Sequence, residues 1–282
     1  MKNRTISQQT VFLYISAAFL LILVIAAFLL PPIMHLDPFV KDSIPFSPPS
    51  GTFWLGTNNL GQDCFARLLH GLRSSLIVGV AAAVLATFIG TVVGITAGFT
   101  GGLIDSLLTS VTNLLLVIPQ LIILILISNS IQNSSLPLLA VFIGCTSWVW
   151  IARALQAQAG SLRLREHVAQ AQLNGAGIVS LLIKQVLPYL SSYVFMAFIM
   201  QLGSAIFSEA ALSMLGLGPR GSEVISLGSI LDNAKSEGFS GAHWWVFLPP
   251  TIVITLCMFS LYSINTALEG VFNPRLRKKS KT

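Results

Sequence analysis

Charge is scarce in this sequence: of 282 residues, 9% are Asp, Glu, Lys or Arg and 54% are hydrophobic. A soluble domain carries about 25% charged residues. A chain this poor in charge cannot cover a water-facing surface, so much of its surface must sit in lipid. Cysteine is scarce too. Cys64, Cys145 and Cys257 are far apart, odd in number and without CxxC spacing, which excludes a disulfide framework and a cysteine metal cluster. Cys145 and Cys257 fall in apolar runs, where a cysteine acts as a small hydrophobe. No G-x-x-x-x-G-K-[ST] segment is present to cradle ATP phosphates, and no HExxH. No nucleophile–base pairing stands out, so no catalytic residue is assigned. His35, His70 and His243 are scattered without ligand spacing, and neither a metal site nor a cofactor is expected. The net charge of +6 reflects Lys and Arg placed beside membrane spans, so no nucleic-acid partner is inferred.

Long uncharged runs are abundant. About 20 apolar residues carry a helix across the hydrocarbon core. Val11–Leu30 is the first such run, and its end at Leu29-Leu30-Pro31-Pro32 suits an uncleaved span better than a signal peptide. A second span lies within Ser74–Ile104, a third at Leu107–Ile127 and a fourth at Leu136–Ile151, with a possible extension beyond Arg153. Tyr189–Leu215 is the fifth and Val246–Leu268 the sixth. The expectation is an all-α polytopic membrane protein with six transmembrane helices. Its parts are a cytoplasmic N-terminus and first helix (1–30), an extracytoplasmic segment (31–73), a five-helix core (74–270) and a basic cytoplasmic tail (271–282).

Six spans put both termini on one side. With that side inside, the inner segments hold Lys2, Arg4, Arg153, Arg163, Arg165, Lys184, Arg275, Arg277, Lys278, Lys279 and Lys281. The outer segments hold Lys41, Arg67, Arg73, Arg220 and Lys235, and eleven against five satisfies the positive-inside rule. Trp148, Trp150, Trp244 and Trp245 read as interfacial anchors in preference to substrate-stacking residues.

The inner loop 160–188 is too polar for lipid and too regular for a random connection. Leu164, Val168 and Ala171 recur at helical spacing. Gly175 can end that helix in a left-handed cap. Pro188 suits the first turn of a following helix. A helix, a sharp turn and a second helix would form a rigid knob, either an ordinary surface hairpin or a handle for a partner. Toward the outside, Asp63 reads as the N-cap of a short amphipathic helix on the outer surface, carrying Phe65, Leu68, Leu69 and Leu72. Asp105 reads as a second N-cap, and Gly98–Gly102 as a tight turn. Glu209 is the one acidic residue within a span, where burial of a charge costs roughly 2.5–3.5 kcal/mol at the helix centre. It lies about 30 Å along the fifth helix. It either lines an outer mouth or is paired and structural.

Several stretches together resemble one family. Ala169-Gln170-Ala171, Gly175 and Leu187-Pro188 are spaced like the EAA loop of ABC importer permeases. There Ala169 replaces the usual glutamate, Gln170 an alanine and Gln185 an isoleucine. Leu55 to Asp63, followed by Arg67, resembles the Phe-Gly-Thr-Asp-x-x-Gly-Arg-Asp segment of dipeptide, oligopeptide and nickel permeases. Ala97–Asp105, Ser208–Gly218 and Leu268 through Asn273-Pro274-Arg275-Leu276 resemble further segments of the same group. The resemblance implies a type I ABC importer permease fold (MetI-like) in a bacterial plasma membrane. It implies a sister permease, two cytoplasmic ATP-binding subunits and an extracytoplasmic substrate-binding protein. It implies an ATPase-coupling loop made by Glu166, Ala169, Gln170, Ala171, Gly175, Leu187 and Pro188. The substrate it implies is peptide, with nickel or a metal–metallophore complex as the alternative. A secondary transporter or channel would need intramembrane ionisable groups beyond Glu209. An intramembrane enzyme would need paired catalytic groups at membrane depth.

Overall fold

A computed structural model describes residues 4–41, 43–130, 135–219, 224–236 and 241–272. Lys2, Arg220, the Asn273–Leu276 segment and the basic run Arg275–Lys281 lie outside these residues. The described chain is helical almost throughout, with one isolated β-bridge between Thr57 and Asp63. Its helices are α1 (Arg4–Ile33), α2 (Cys64–Thr100), α3 (Gly102–Val117), α4 (Gln120–Ser130), α5 (Leu136–Ser147) and α6 (Val149–Arg163). They continue as α7 (Glu166–Leu173), α8 (Ile178–Leu181), α9 (Leu187–Met214), α10 (Leu227–Ser236) and α11 (Trp244–Phe272). Among the described residues, four stretches are long and apolar enough to cross a bilayer, and up to six if each bent pair is one crossing.

The third and fourth crossings depart from straight helices. α3 and α4 meet at 82° instead of forming one helix over Leu107–Ile127. The cause is local. Ile118 precedes Pro119, and the proline ring drives its neighbour out of the helical region, here to φ −90°, ψ 121°. α5 and α6 bend by 40° at Trp148. Just before the bend, the Thr146 hydroxyl donates to the Phe142 carbonyl and Ser147 Oγ to the Ile143 carbonyl at 2.6 Å, back-bonding that bends helices.

α2 is the central strut. Its 37 residues span about 55 Å, well beyond the hydrocarbon core. The separate surface helix expected after Asp63 does not exist. Leu68, Leu69 and Leu72 are buried in the first turns of α2, and Leu68 and Leu72 pack in a cluster with residues of α1, α9, α10 and α11 where lipid was expected. Asp63 does cap the helix, accepting from the Phe65 amide at 2.8 Å. Burial pushes the Asp63 carboxyl up from its ordinary range, against the backbone amides of Phe65 and Ala66 that stabilise its charge. The expected tight turn is confined to Gly101 and Gly102, both at positive φ. Gly98 remains inside α2. Asp105 is not a cap but the fourth residue of α3.

Gly90, Gly94 and Gly98 form a stripe along α2 against α6. A Cβ on Gly90 would meet the Ile151 Cβ at 2.7 Å. One on Gly94 or Gly98 would enter the backbone of Ala152 or Gln156. Small residues spaced by four let two helix backbones approach closely in lipid, where dispersion and not water drives association.

Candidate coupling site

The chain leaves α6 at Arg163, and α7 begins at Glu166. α7 closes with a Schellman motif: the Gly175 amide donates to Gln172 O at 3.0 Å and Ala176 to Ala171 O at 3.1 Å. Gly175 has φ +79°, with nothing within 4 Å of a Cβ built on it. Glycine is therefore required by backbone conformation and not by crowding.

The second arm of the hairpin is not a separate helix. α8 runs through a π-helical turn at Leu182–Val186 into α9, so Ile178–Met214 is one 37-residue rod. The π turn lies immediately before Pro188. Proline has no N–H to donate four residues back and its ring crowds that carbonyl. The wider turn relieves this, with the Leu187 amide bonding Leu182 O five residues back. The hairpin is thus rigidly continuous with the fifth crossing.

Val168, at 0% exposure, plugs the hairpin into the body, with Leu181 and Val186 buried beside it against Phe99, Leu155 and Leu162. His167 stacks on Tyr189 with centroids 4.5 Å apart. Ala171 and Leu187 are half-buried, whereas Glu166, Ala169, Gln170, Gly175 and Pro188 are exposed. Leu164 does not share the buried face with Val168 and Ala171. It precedes α7 and is 87% exposed, as Leu173 is at 88%. Ile178, Val179 and Ile183 extend this apolar rim around the turn.

Two polar joints tie α6 to its neighbours. Gln156 Nε2 donates to Asp105 Oδ1 and to the Thr109 hydroxyl of α3. Trp150 Nε1 donates to Gln201 Oε1 at 3.0 Å, while Gln201 Nε2 reaches Ser147. Trp150 is half-buried and its indole N–H is engaged within the protein. Trp245 is buried and donates to Thr57 O at 3.2 Å. An amide in a charge-free span was the available signal for Gln201, and the four-residue glycine spacing was the signal for the α2–α6 seam.

At the opposite end, Glu209 is 0% exposed and opens on no mouth. It accepts from Ser75 Oγ at 2.7 Å and from Ser213 Oγ at 2.8 Å. Ser75 Oγ in turn accepts from the Leu227 amide, the first residue of α10, at 3.1 Å. The carboxylate thus joins α2, α9 and α10. Leu55–Asp63 forms a folded loop beside it. The Asn58 carboxamide oxygen accepts from the Leu60 and Gln62 amides, each at 2.9 Å. His70 lies within hydrogen-bond distance of Leu36 O, and His243 stacks on Phe46. Among the described residues no three His, Cys, Asp or Glu side chains converge as metal ligands.

A family model described as the binding-protein-dependent transport system inner membrane component matches residues 90–278. The oligopeptide transport system permease protein OppC of Mycobacterium tuberculosis is 32% identical over 267 residues, covering 93% of this chain and 90% of the relative. The dipeptide transport system permease protein DppC of Bacillus subtilis is 30% identical over 268 residues, covering 94% and 83%. Among solved structures, an inward-facing MetNI methionine ABC transporter is similar with a TM-score of 0.55 at 19% identity, covering 72% of this chain and 96% of that one.

Proposed function

The chain belongs to the family of binding-protein-dependent transport system inner membrane components, with the type I ABC importer permease fold, and on that premise we propose that it forms half of an ATP-driven peptide path, worked through the Glu166–Pro188 hairpin. The observation that carries this reading is the unbroken rod Ile178–Met214, which makes a hairpin at one end of the molecule and the joint at Glu209 parts of one lever. A sister permease completes the path. Two ATP-binding subunits grip the paired hairpins on the cytoplasmic side, and a substrate-binding protein delivers cargo on the other.

The chemistry of the hairpin suits a grip. Ala169 and Gly175 present little bulk, Glu166 and Gln170 present polar atoms, and the rim of Leu164, Leu173 and Val179 presents apolar area. Closure of the ATPase pair pulls α7. Because Val168, Leu181 and Val186 lock α7 to α9 and α6, the pull is passed to the crossings and not absorbed in a loose loop. The crossings then rock between inward-open and outward-open arrangements. Peptide is favoured over nickel because the relatives above are named for oligopeptide and dipeptide transport.

The test is uptake by the whole transporter in proteoliposomes carrying Gly175→Arg. A side chain forced to φ +79° strains the Schellman turn by about 1–2 kcal/mol and projects into the gripped surface. ATP-dependent uptake is expected to fall by about ten-fold or more. Unchanged uptake contradicts the proposal.

A further inference from the structure

α3 presents three different faces. Toward the protein, Thr112 is buried, and Asp105 and Thr109 accept from Gln156 of α6. Leu103, Leu107 and Leu114 form an exposed apolar face suited to lipid. Between the two runs a third face. Ser106, Ser110, Asn113 and Val117 are all exposed and recur at helical spacing, so they form one strip along the helix. The Ser110 hydroxyl donates to Ser106 O of its own helix, but the Asn113 carboxamide has no partner among the described residues. A bare carboxamide is costly in lipid.

The strip ends at the 82° break before α4. There Leu116, Val117, Ile118 and Pro119 are exposed. The last carbonyls of a helix have no amide within it. At this break Pro119 has no N–H to offer Leu115. The amides of Gln120 and Leu121, which a continuing helix would direct to Leu116 and Val117, make no such bond. Gln120 Nε2 is enclosed without an acceptor. α3 and α4 are apolar enough to form a crossing only together, so the break sits at membrane depth. Bare backbone carbonyls are tolerated there against water or protein, and not against lipid.

We propose that Ser106, Ser110 and Asn113 line the aqueous path of this permease, and that the Leu115, Leu116 and Val117 carbonyls at the end of the strip accept backbone N–H groups of an extended peptide in transit. The inference rests on the peptide reading above. Carbonyl acceptors read what all peptides share and ignore their side chains. Small hydroxyls and one carboxamide wet a wall without holding a solute tightly, which suits passage better than a fixed contact with another subunit.

The experiment uses the assembled transporter in lipid nanodiscs, without its binding protein and with Cys64, Cys145 and Cys257 changed to Ala. Asn113→Cys, Val117→Cys and Leu107→Cys are made one at a time and treated with a charged, water-soluble methanethiosulfonate, and modification is read on this chain. The reacting species is the thiolate, which forms in water and not in lipid, so Asn113→Cys and Val117→Cys should be modified about ten-fold faster than Leu107→Cys, or more. Rates no faster than that of Leu107→Cys overturn the strip, whether lipid or the sister permease covers it. Tetraalanine should slow the modification of Val117→Cys. Its analogue with methylated backbone nitrogens keeps the side chains but lacks those donors, and should need about ten-fold more for the same slowing. Equal protection by both peptides, or by neither, overturns the carbonyl contact. Labelled-tetraalanine uptake with the binding protein present separates the two levels. Uptake alongside an unreactive or unprotected strip sinks this assignment alone, whereas a parent transporter that takes up no peptide sinks the peptide reading.

Discussion

The two ends of this molecule handle polar and apolar groups in opposite ways. At the hairpin end, small and apolar side chains point outward and Val168 is the plug that holds the element down. At the other end, Thr57, Asn58, Gln62, Ser75 and Glu209 are all buried, and their hydrogen bonds define the shape. On the proposed reading, the hairpin is gripped by another protein, which suits an uncovered contact surface stiffened by backbone caps. An element meant to hold its shape beside water turns its polar groups inward and satisfies them. The comparison predicts that substitutions at the closed end act on stability, whereas those on the outer face of the hairpin act on transport.

The largest effect is expected where the hairpin's foundation meets α2. Gly98→Val would push a side chain into the Gln156 backbone, and overpacking at a seam with no room should cost about 3 kcal/mol. A strongly lowered melting temperature of the detergent-solubilised complex would register it. At the closed end, Glu209→Ala strands the Ser75 and Ser213 hydroxyls and should cost about 2–3 kcal/mol, with Glu209→Gln costing less. The same thermal assay ranks the two, and equal losses would show that the paired acceptor oxygens matter more than the packing. Asn58→Ala removes the carboxamide that organises the Leu60 and Gln62 amides and should cost about 1–2 kcal/mol without changing uptake per folded transporter. Smallest in stability is Leu173→Ser, an exposed site where a change within about 0.5 kcal/mol is expected. Its uptake should nonetheless fall, and a variant with normal uptake would break the contrast between the ends.

What the sequence made legible follows from whether a signal was local. The Asp63 cap and the Gly175 turn were readable because each is set by a few neighbouring residues. The break at Ile118-Pro119 was readable in principle, since proline restricts its predecessor, but a charge-free run conceals everything except its length. The surface helix after Asp63 was misread because amphipathic spacing cannot say whether protein or lipid covers the apolar face. The surroundings of Glu209 were illegible, as its partner Ser75 lies 134 residues away and nothing near either residue announces the other. The continuity of hairpin and crossing was also hidden, because Pro188 suggested a fresh start where a π turn carries the helix through.

The central claim is that the hairpin and the fifth crossing move as one rod. The most direct measurement pairs ATP hydrolysis with peptide uptake in the reconstituted transporter carrying Lys184→Gly together with Gln185→Gly, which loosens the rod at its π turn while leaving α7 intact. Each glycine should weaken the helix by about 0.5–1 kcal/mol. If the rod transmits the stroke, hydrolysis persists near the parent rate while uptake drops about ten-fold. If uptake instead keeps pace with hydrolysis, the stroke travels by another route and the account is wrong.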